Sequence, residues 1–332
     1  QSNFSFLCGA SHPQELVNQA HFLGYQALAI TDECSVAGVV RAYTEIKEHK
    51  LNLKLIVGSL FSLGEELQLI LLCPDRQAYA ELCRVITNAR RRSPKGEYSL
   101  QEWDLKTVRK CLAVWLPKGH KEQDIYWAQW LKKHYPDRIW IGCPRLLTAN
   151  ESEYLHHCEW LSQQYQLPIT ACGAVLMHHS GRQALQHVVS AIKQGTTVAN
   201  LGRALLSNAE RTLRPLNKLM KLYKPEWLQA SVEIAKRCHF DMGELRYEYP
   251  AELIPTGKTP QQHLRALVEH GIKKRFPEGI KKSVRDIIEK ELTLIAEQQY
   301  EYFFLTIYDV VQFAKQQRIL YQGRGSAATS VV

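Results

Sequence analysis

Two hydrophobic rhythms divide the chain. Up to about residue 175, short apolar runs alternate with longer amphipathic stretches. The runs cover residues 26–31, 53–57, 67–73, 111–116, 138–143 and 167–172. Each is nearly continuous, the signature of a strand buried on both faces. The segments between them have helical periodicity. In "SHPQELVNQAHFLG", Leu16, Ala20 and Leu23 share a face, Ser11 and Gln14 make a capping box, and Gly24 provides a stop. Strand and helix alternating in this order predict a parallel α/β domain. Six strands, with a seventh candidate at residues 4–7, suit a barrel better than an open sheet.

After about residue 180 the strands fade and helices dominate. "EWLQASVEIAKRC" closes the first predicted domain, residues 1–240. Pro250, Pro255 and Pro260 mark an extended linker or arm across residues 241–262. Three helices are predicted in the last segment, residues 263–332. The first is "QQHLRALVEHGIKKRF". The second is "SVRDIIEKELTLIAEQQ", with Ser283 and Asp286 as a capping pair and Ile288, Leu292 and Ile295 on one face. The third is "TIYDVVQFAKQQR", with Thr306 and Asp309 at its start and Ile307, Val311 and Ala314 on one face. A strand, Ile319-Leu320-Tyr321, then leads into "GRGSAATS".

Composition narrows the class. The 332 residues are 45% apolar and 23% charged, as in a soluble globular protein. No run is long and apolar enough to span a bilayer, and no basic stretch with an apolar h-region opens the chain. The nine cysteines are scattered without a C-x-x-C pair, which argues against a disulfide framework or a cysteine zinc site. Together these features predict a cytoplasmic protein without a membrane partner. The net charge of +9 is compatible with nucleic acid. Two basic runs stand out, Arg90-Arg91-Arg92 with Lys95, and Lys273-Lys274-Arg275 followed by Lys281-Lys282. Either is solvated surface or a phosphate contact.

Ligands of parallel α/β folds sit at the C-terminal ends of the strands. The residues there are Asp32 and Glu33; Gly58, Ser59 and Leu60; Pro74 and Asp75; Pro117, Lys118, Gly119 and His120; Pro144, Arg145 and Leu146; and Gly173, Ala174, Val175 and Leu176. A phosphoesterase centre needs several converging His, Asp and Glu ligands. Asp32 and Glu33 are the residual metal candidates, with Asp75, His120, His178 and His179 as conceivable partners. The plainer alternative is an acid pair that caps a helix or makes a salt bridge.

The stretch "YQGRGSAATSVV" carries a different chemistry. Gly323 and Gly325 lack Cβ groups, so the backbone can approach a triphosphate closely. A helix beginning at Ser326 would offer free N–H groups to phosphate. Arg324 supplies a charged fork and Ser326 a hydroxyl. The alternative reading of a bare G-x-G is a tight turn.

"SNFSFLCGASHPQELVNQAHFLGYQALAITDECSVAGVVRA" resembles the polymerase-and-histidinol-phosphatase (PHP) domain that opens bacterial C-family DNA polymerases, most closely their error-prone branch. "ELRYEYPAELIPTGKTPQQHLRAL" and "YFFLTIYDVVQFAKQQRILYQGRGSAATS" resemble the segments that come after it, so the resemblance runs along essentially the whole chain. It implies a distorted (βα)7 barrel, then a mostly helical segment and the first part of a polymerase palm. It also implies DNA-templated nucleotidyl transfer by a longer protein, with DNA and deoxynucleoside triphosphates as substrates and Mg2+ as cofactor. A sliding clamp and accessory mutagenesis proteins are the implied partners.

The resemblance bears on the site residues one by one. The family's opening histidines are replaced or absent before "SNFSF". Its Asp-His is Asp32-Glu33, a form common in the error-prone branch. Its ligand glutamate is Leu60, its Glu-Leu-His is Pro144-Arg145-Leu146, and its Asp-Val-His is Ala174-Val175-Leu176. Proline and leucine donate no lone pair to a metal. The implied barrel is therefore metal-depleted and structural. Gly323, Arg324, Gly325 and Ser326 are implied to hold the incoming nucleotide's phosphates, with Thr329 where the family usually has asparagine. The palm's catalytic aspartates lie further along the family's chain. The 332 residues are accordingly read as a fragment, inactive alone. The alternatives are a non-catalytic PHP-like scaffold and a metal-dependent phosphoesterase.

Overall fold

A computed structural model describes residues 1–246 and 253–332. The chain divides into two compact units, Gln1–Leu245 and Arg246–Val332.

All six apolar runs of the first unit become strands. They are β1 (Ala27–Glu33), β2 (Lys54–Leu63), β3 (Leu67–Leu72), β4 (Leu112–Trp115), β5 (Ile139–Pro144) and β6 (Ile169–Cys172). They form one curled sheet whose order follows the sequence. Around it lie helices α1 (Pro13–Phe22), α2 (Ala37–Glu48), α3 (Arg76–Arg91), α4 (Glu102–Lys106), α5 (Lys121–His134), α6 (Glu151–Tyr165), α7 (Gln183–Lys193), α8 (Leu216–Leu222) and α9 (Pro225–Arg237). One apolar cluster joins Val57, Phe61, Leu69, Leu71, Trp115 and Ile141 from the strands to Leu16, Leu82 and Leu131 from the helices. A second, with Ile56, Leu72, Leu112 and Trp140, seats Ile234 of α9. The architecture fits a PHP-type distorted barrel.

Three expectations for this unit need correction. The sheet is not wholly parallel, because β3 runs antiparallel to both β2 and β4. The reason is local. β2 extends six residues beyond its predicted end, and residues 64–66 are too few for a crossover, which takes a dozen or more. Leu60 therefore lies inside a strand, opposite Glu33 on one side and Ile70 on the other. Second, residues 4–7 form turns and not a seventh strand. Third, α1 is capped one residue later than predicted. His12 is its N-cap and its backbone N–H donates to Glu15 Oε2 at 2.9 Å.

The second unit contains α10 (Pro260–Arg275), α11 (Lys282–Glu297) and α12 (Glu301–Gln316). Thr259 and Gln262 form the capping box of α10, with Pro260 in its first turn. Leu264, Val268 and Ile272 meet Ile288, Leu292, Ile295 and Leu305 in a small core. The predicted caps are displaced. Lys281 precedes α11, so Ser283 lies within the helix. α12 starts at Glu301, and the Thr306 hydroxyl donates to the Tyr302 carbonyl from inside it. Ile319, Leu320 and Tyr321 pair with no strand among the described residues and are exposed. Pro250 lies outside the described residues, so the proposed arm is traced only at its ends.

Candidate functional site

At the mouth of the barrel, β1 delivers Asp32, which is almost fully buried. Its carboxylate is already occupied. It accepts from the Ser2 backbone N–H at 2.6 Å, the Ser2 hydroxyl at 2.7 Å and the Ser5 hydroxyl at 2.7 Å. Gly38, in the first turn of α2, makes room for this knot. A Cβ there would stand 2.6 Å from Asp32 Oδ2. Ser59 donates to the Asp32 carbonyl at 2.7 Å and receives the Ser35 N–H at 3.0 Å. Asp32 thus holds the opening loop against β1 and makes no salt bridge among the described residues.

Glu33 turns to the other side. Its carboxylate accepts from Tyr98 OH at 2.8 Å, and its carbonyl from Arg90. Burial, with Glu33 close by, pushes the Tyr98 phenol above its ordinary pKa. The remaining candidates are dispersed. Asp75 caps α3 by accepting from Ala78 N–H at 2.8 Å. His120 is exposed before α5. His178 Nδ1 lies 2.8 Å from the Ser11 hydroxyl, and His179 Nδ1 accepts from Gly181 N–H. Leu60 and Leu176 are buried. Among the described residues, no group of three or more His, Cys, Asp or Glu is arranged to hold a metal ion.

Where β5 and β6 end, basic residues and a phenol take over. Tyr223, just beyond α8, donates to the Cys172 carbonyl at 2.6 Å. It accepts from the Arg145 backbone N–H at 3.1 Å and from Arg214 at 3.0 Å. Burial pushes its pKa up to about 12. Arg214 also donates to the Arg145 carbonyl and pairs with Glu210, while Arg145 pairs with Glu151. Arg211 donates to the carbonyl of Ala174, which adopts φ 45°. Burial lowers the Arg211 guanidinium pKa. These groups tie strand ends to the next helices along the chain. Sequence reading missed Ser2, Ser5, Tyr98, Arg211, Arg214 and Tyr223, because no local spacing links residues that meet only after the sheet curls.

The glycine-rich element belongs to the second unit. Gly323 and Arg324 are exposed, and Gly325 has φ +92°. Residues Ser326–Thr329 make a single 3₁₀ turn in place of the expected α-helical start. Glu291 of α11 anchors the residues beyond that turn, accepting from the Ser330 hydroxyl at 2.6 Å and from Val331 N–H at 2.9 Å.

Comparison with known proteins bears on both units. Residues 1–138 match the PHP domain, and residues 262–332 match the Bacterial DNA polymerase III alpha NTPase domain. Over all 332 residues the chain is 59% identical to the error-prone DNA polymerase of Vibrio vulnificus strain CMCP6 and 60% identical to that of Vibrio campbellii. Along its whole length the chain is similar to the error-prone branch of the bacterial C-family DNA polymerases. A more distant relative of the family, the error-prone DNA polymerase of Teredinibacter turnerae, is 47% identical over the same length. The chain spans 32% of the length of each of these relatives. Among solved structures, a chain from Bifidobacterium adolescentis superposes on 50% of this one at 15% identity, with a TM-score of 0.38.

Proposed function

We propose that these residues are the barrel and the beginning of the palm of a polymerase that joins deoxynucleotides on damaged or undamaged DNA templates. The observation that carries this reading is the uninterrupted identity of 59–60% to error-prone DNA polymerases. In this reading residues 1–240 form the barrel, 241–262 the linker and 263–332 the start of the palm. The barrel is structural. The Asp32 carboxylate is engaged by Ser2 and Ser5, and Leu60, Pro144 and Leu176 offer no lone pairs to an ion. The residues at its mouth do not fit a metal centre.

Gly323 and Gly325 allow close backbone approach to a triphosphate, Arg324 contributes charge and Ser326 a hydroxyl. Mg2+ would serve nucleotidyl transfer in the longer protein. The acidic residues described here do not fit its site either, since no three of them converge. The sliding clamp and accessory mutagenesis proteins are the partners of this reading, and the cytoplasm is its compartment.

Primer extension by a chain extended to the length of its relatives tests the proposal. Arg324→Ala is expected to weaken nucleotide use by roughly 1–3 kcal/mol, as loss of a charge-assisted contact should. Unchanged kinetics in Arg324→Ala and Ser326→Ala would reduce the element to a turn. Primer extension by the 332 residues alone would overturn the division of labour.

A further inference from the structure

The two basic runs have different fates in the fold. Arg90 and Arg92 are consumed internally. Arg90 donates to the carbonyls of Glu33, Cys34 and Glu97, and Arg92 makes a two-pronged pair with Asp104. Lys273, Lys274, Arg275, Lys281 and Lys282 are all exposed, and none has an ion-pair partner among the described residues.

Their placement comes from the helices that carry them. Arg265 pairs with Glu289, and Glu269 with Arg285. These pairs step four residues forward on α10 and four backward on α11, so the helices are antiparallel. The next step brings Lys273 level with Lys281. All five cations therefore cluster at one end of a helical hairpin. The turn between them is fixed, because Phe276 and Ile280 pack on the apolar core and Gly279 N–H donates to the Phe276 carbonyl at 3.1 Å.

Helix electrostatics explain only part of the cluster. Lys273, Lys274 and Arg275 occupy the last turn of α10, where cations are favoured. Lys281 and Lys282 open α11, where the macrodipole disfavours them and no acidic residue stands in the first turn. Glu278 in the turn offsets one of these charges, and the remaining like charges repel one another unless a further anion joins them.

We infer that this hairpin end is a docking site for the phosphodiester backbone of duplex DNA. The inference rests on the polymerase reading for the identity of the polyanion, and on the unpaired cations for the site. Backbone contact by five cations is sequence-independent and releases counterions, so it shows itself in the salt dependence of binding.

The test is fluorescence anisotropy with a primer–template duplex and the 332-residue protein, titrated at a series of salt concentrations. Circular dichroism checks that each variant is folded. The quintuple variant K273Q/K274Q/R275Q/K281Q/K282Q is compared with a control of equal charge, K132Q/K133Q/K193Q/K221Q/K236Q, on exposed lysines of the barrel. Five neutralised phosphates correspond to a slope of about −4.5 in log K against log salt, or roughly 500-fold in affinity between 50 and 200 mM salt. The hairpin variant should lose most of that slope and the control should keep it. Equal losses in both variants would reduce the effect to net charge. Parental binding by the hairpin variant would remove the site. The polymerase reading is judged separately, by primer extension in the longer protein.

Discussion

Asp32 illustrates how one carboxylate can be diverted from chemistry to architecture. Three donors converge on it in a place with almost no solvent. Replacing Asp32 with Asn turns one acceptor into a donor that faces the serines. This should cost about 2–3 kcal/mol, the penalty for buried polar groups left unpaired. A shift of the urea midpoint with an unchanged m-value would report it. An unaltered midpoint would mean that the knot is slack. Gly38→Ala should act on the same knot from the other side, since its Cβ would intrude on Oδ2. The acid pair at the end of β1 was legible in the sequence. Its partners were not, because serines in "SNFSF" carry no signal of what they will bond until the loop folds back on β1.

At the scale of elements, hydrophobic rhythm proved the most informative signal and local caps the least. Six continuous apolar runs became six strands because burial on both faces leaves few other solutions. Direction was harder to read. Polar Ser59 and Ser62 hid the true length of β2, and with it the short turn that reverses β3. The predicted caps at Ser11, Ser283 and Thr306 were drawn from residue type alone, and tertiary contacts claimed Ser11 for His178. The strand-end network makes its own prediction. Tyr223→Phe removes three hydrogen bonds among buried groups and should destabilise the first unit by about 1–2 kcal/mol. Equilibrium unfolding would show it, and parental stability would assign the work to the arginines alone.

His178 adds a pH dependence. Burial depresses its pKa below 6.5, with Glu15 opposing and Arg182 and His179 reinforcing the shift. The unfolded chain therefore takes the proton more readily than the folded one. The contribution is complete above pH 6.5 and declines as pH falls through that value. Thermal midpoints across this range should fall with acidity, less so in His178→Gln. Identical profiles would exclude the residue as a cause.

Across the whole molecule, each of the two units has an apolar core of its own. Calorimetry should resolve two transitions, and the larger should survive in residues 1–245 expressed alone. A single transition lost on truncation would contradict this. The change from strands to helices near residue 180 lies inside the first unit, which runs to Leu245. The free cations of the α10–α11 hairpin were visible in the sequence, but only the fold separates them from the arginines spent inside the barrel.

Because sheet order matches sequence order, each strand finds its neighbour across a short stretch of chain. The seam between residues 10–15 and 176–182 is one of the long-range closures, beside those of Tyr25 with Arg214 and Lys54 with Ala235. Ala10 N–H donates to the Leu176 carbonyl, Ser11 meets His178, and Glu15 pairs with Arg182, all across more than 160 residues. Closing so long a loop costs entropy before any contact repays it, so this clasp should form after the main folding barrier. Its strength then governs the rate of opening and leaves the rate of folding alone. In a chevron plot, Ser11→Ala should raise the unfolding arm roughly five-fold for about 1 kcal/mol lost, with the folding arm unmoved. A slowed folding arm would place the clasp in the nucleus. The persistence of the barrel against proteases is thus set by a seam of a few polar contacts beside the apolar face of α1.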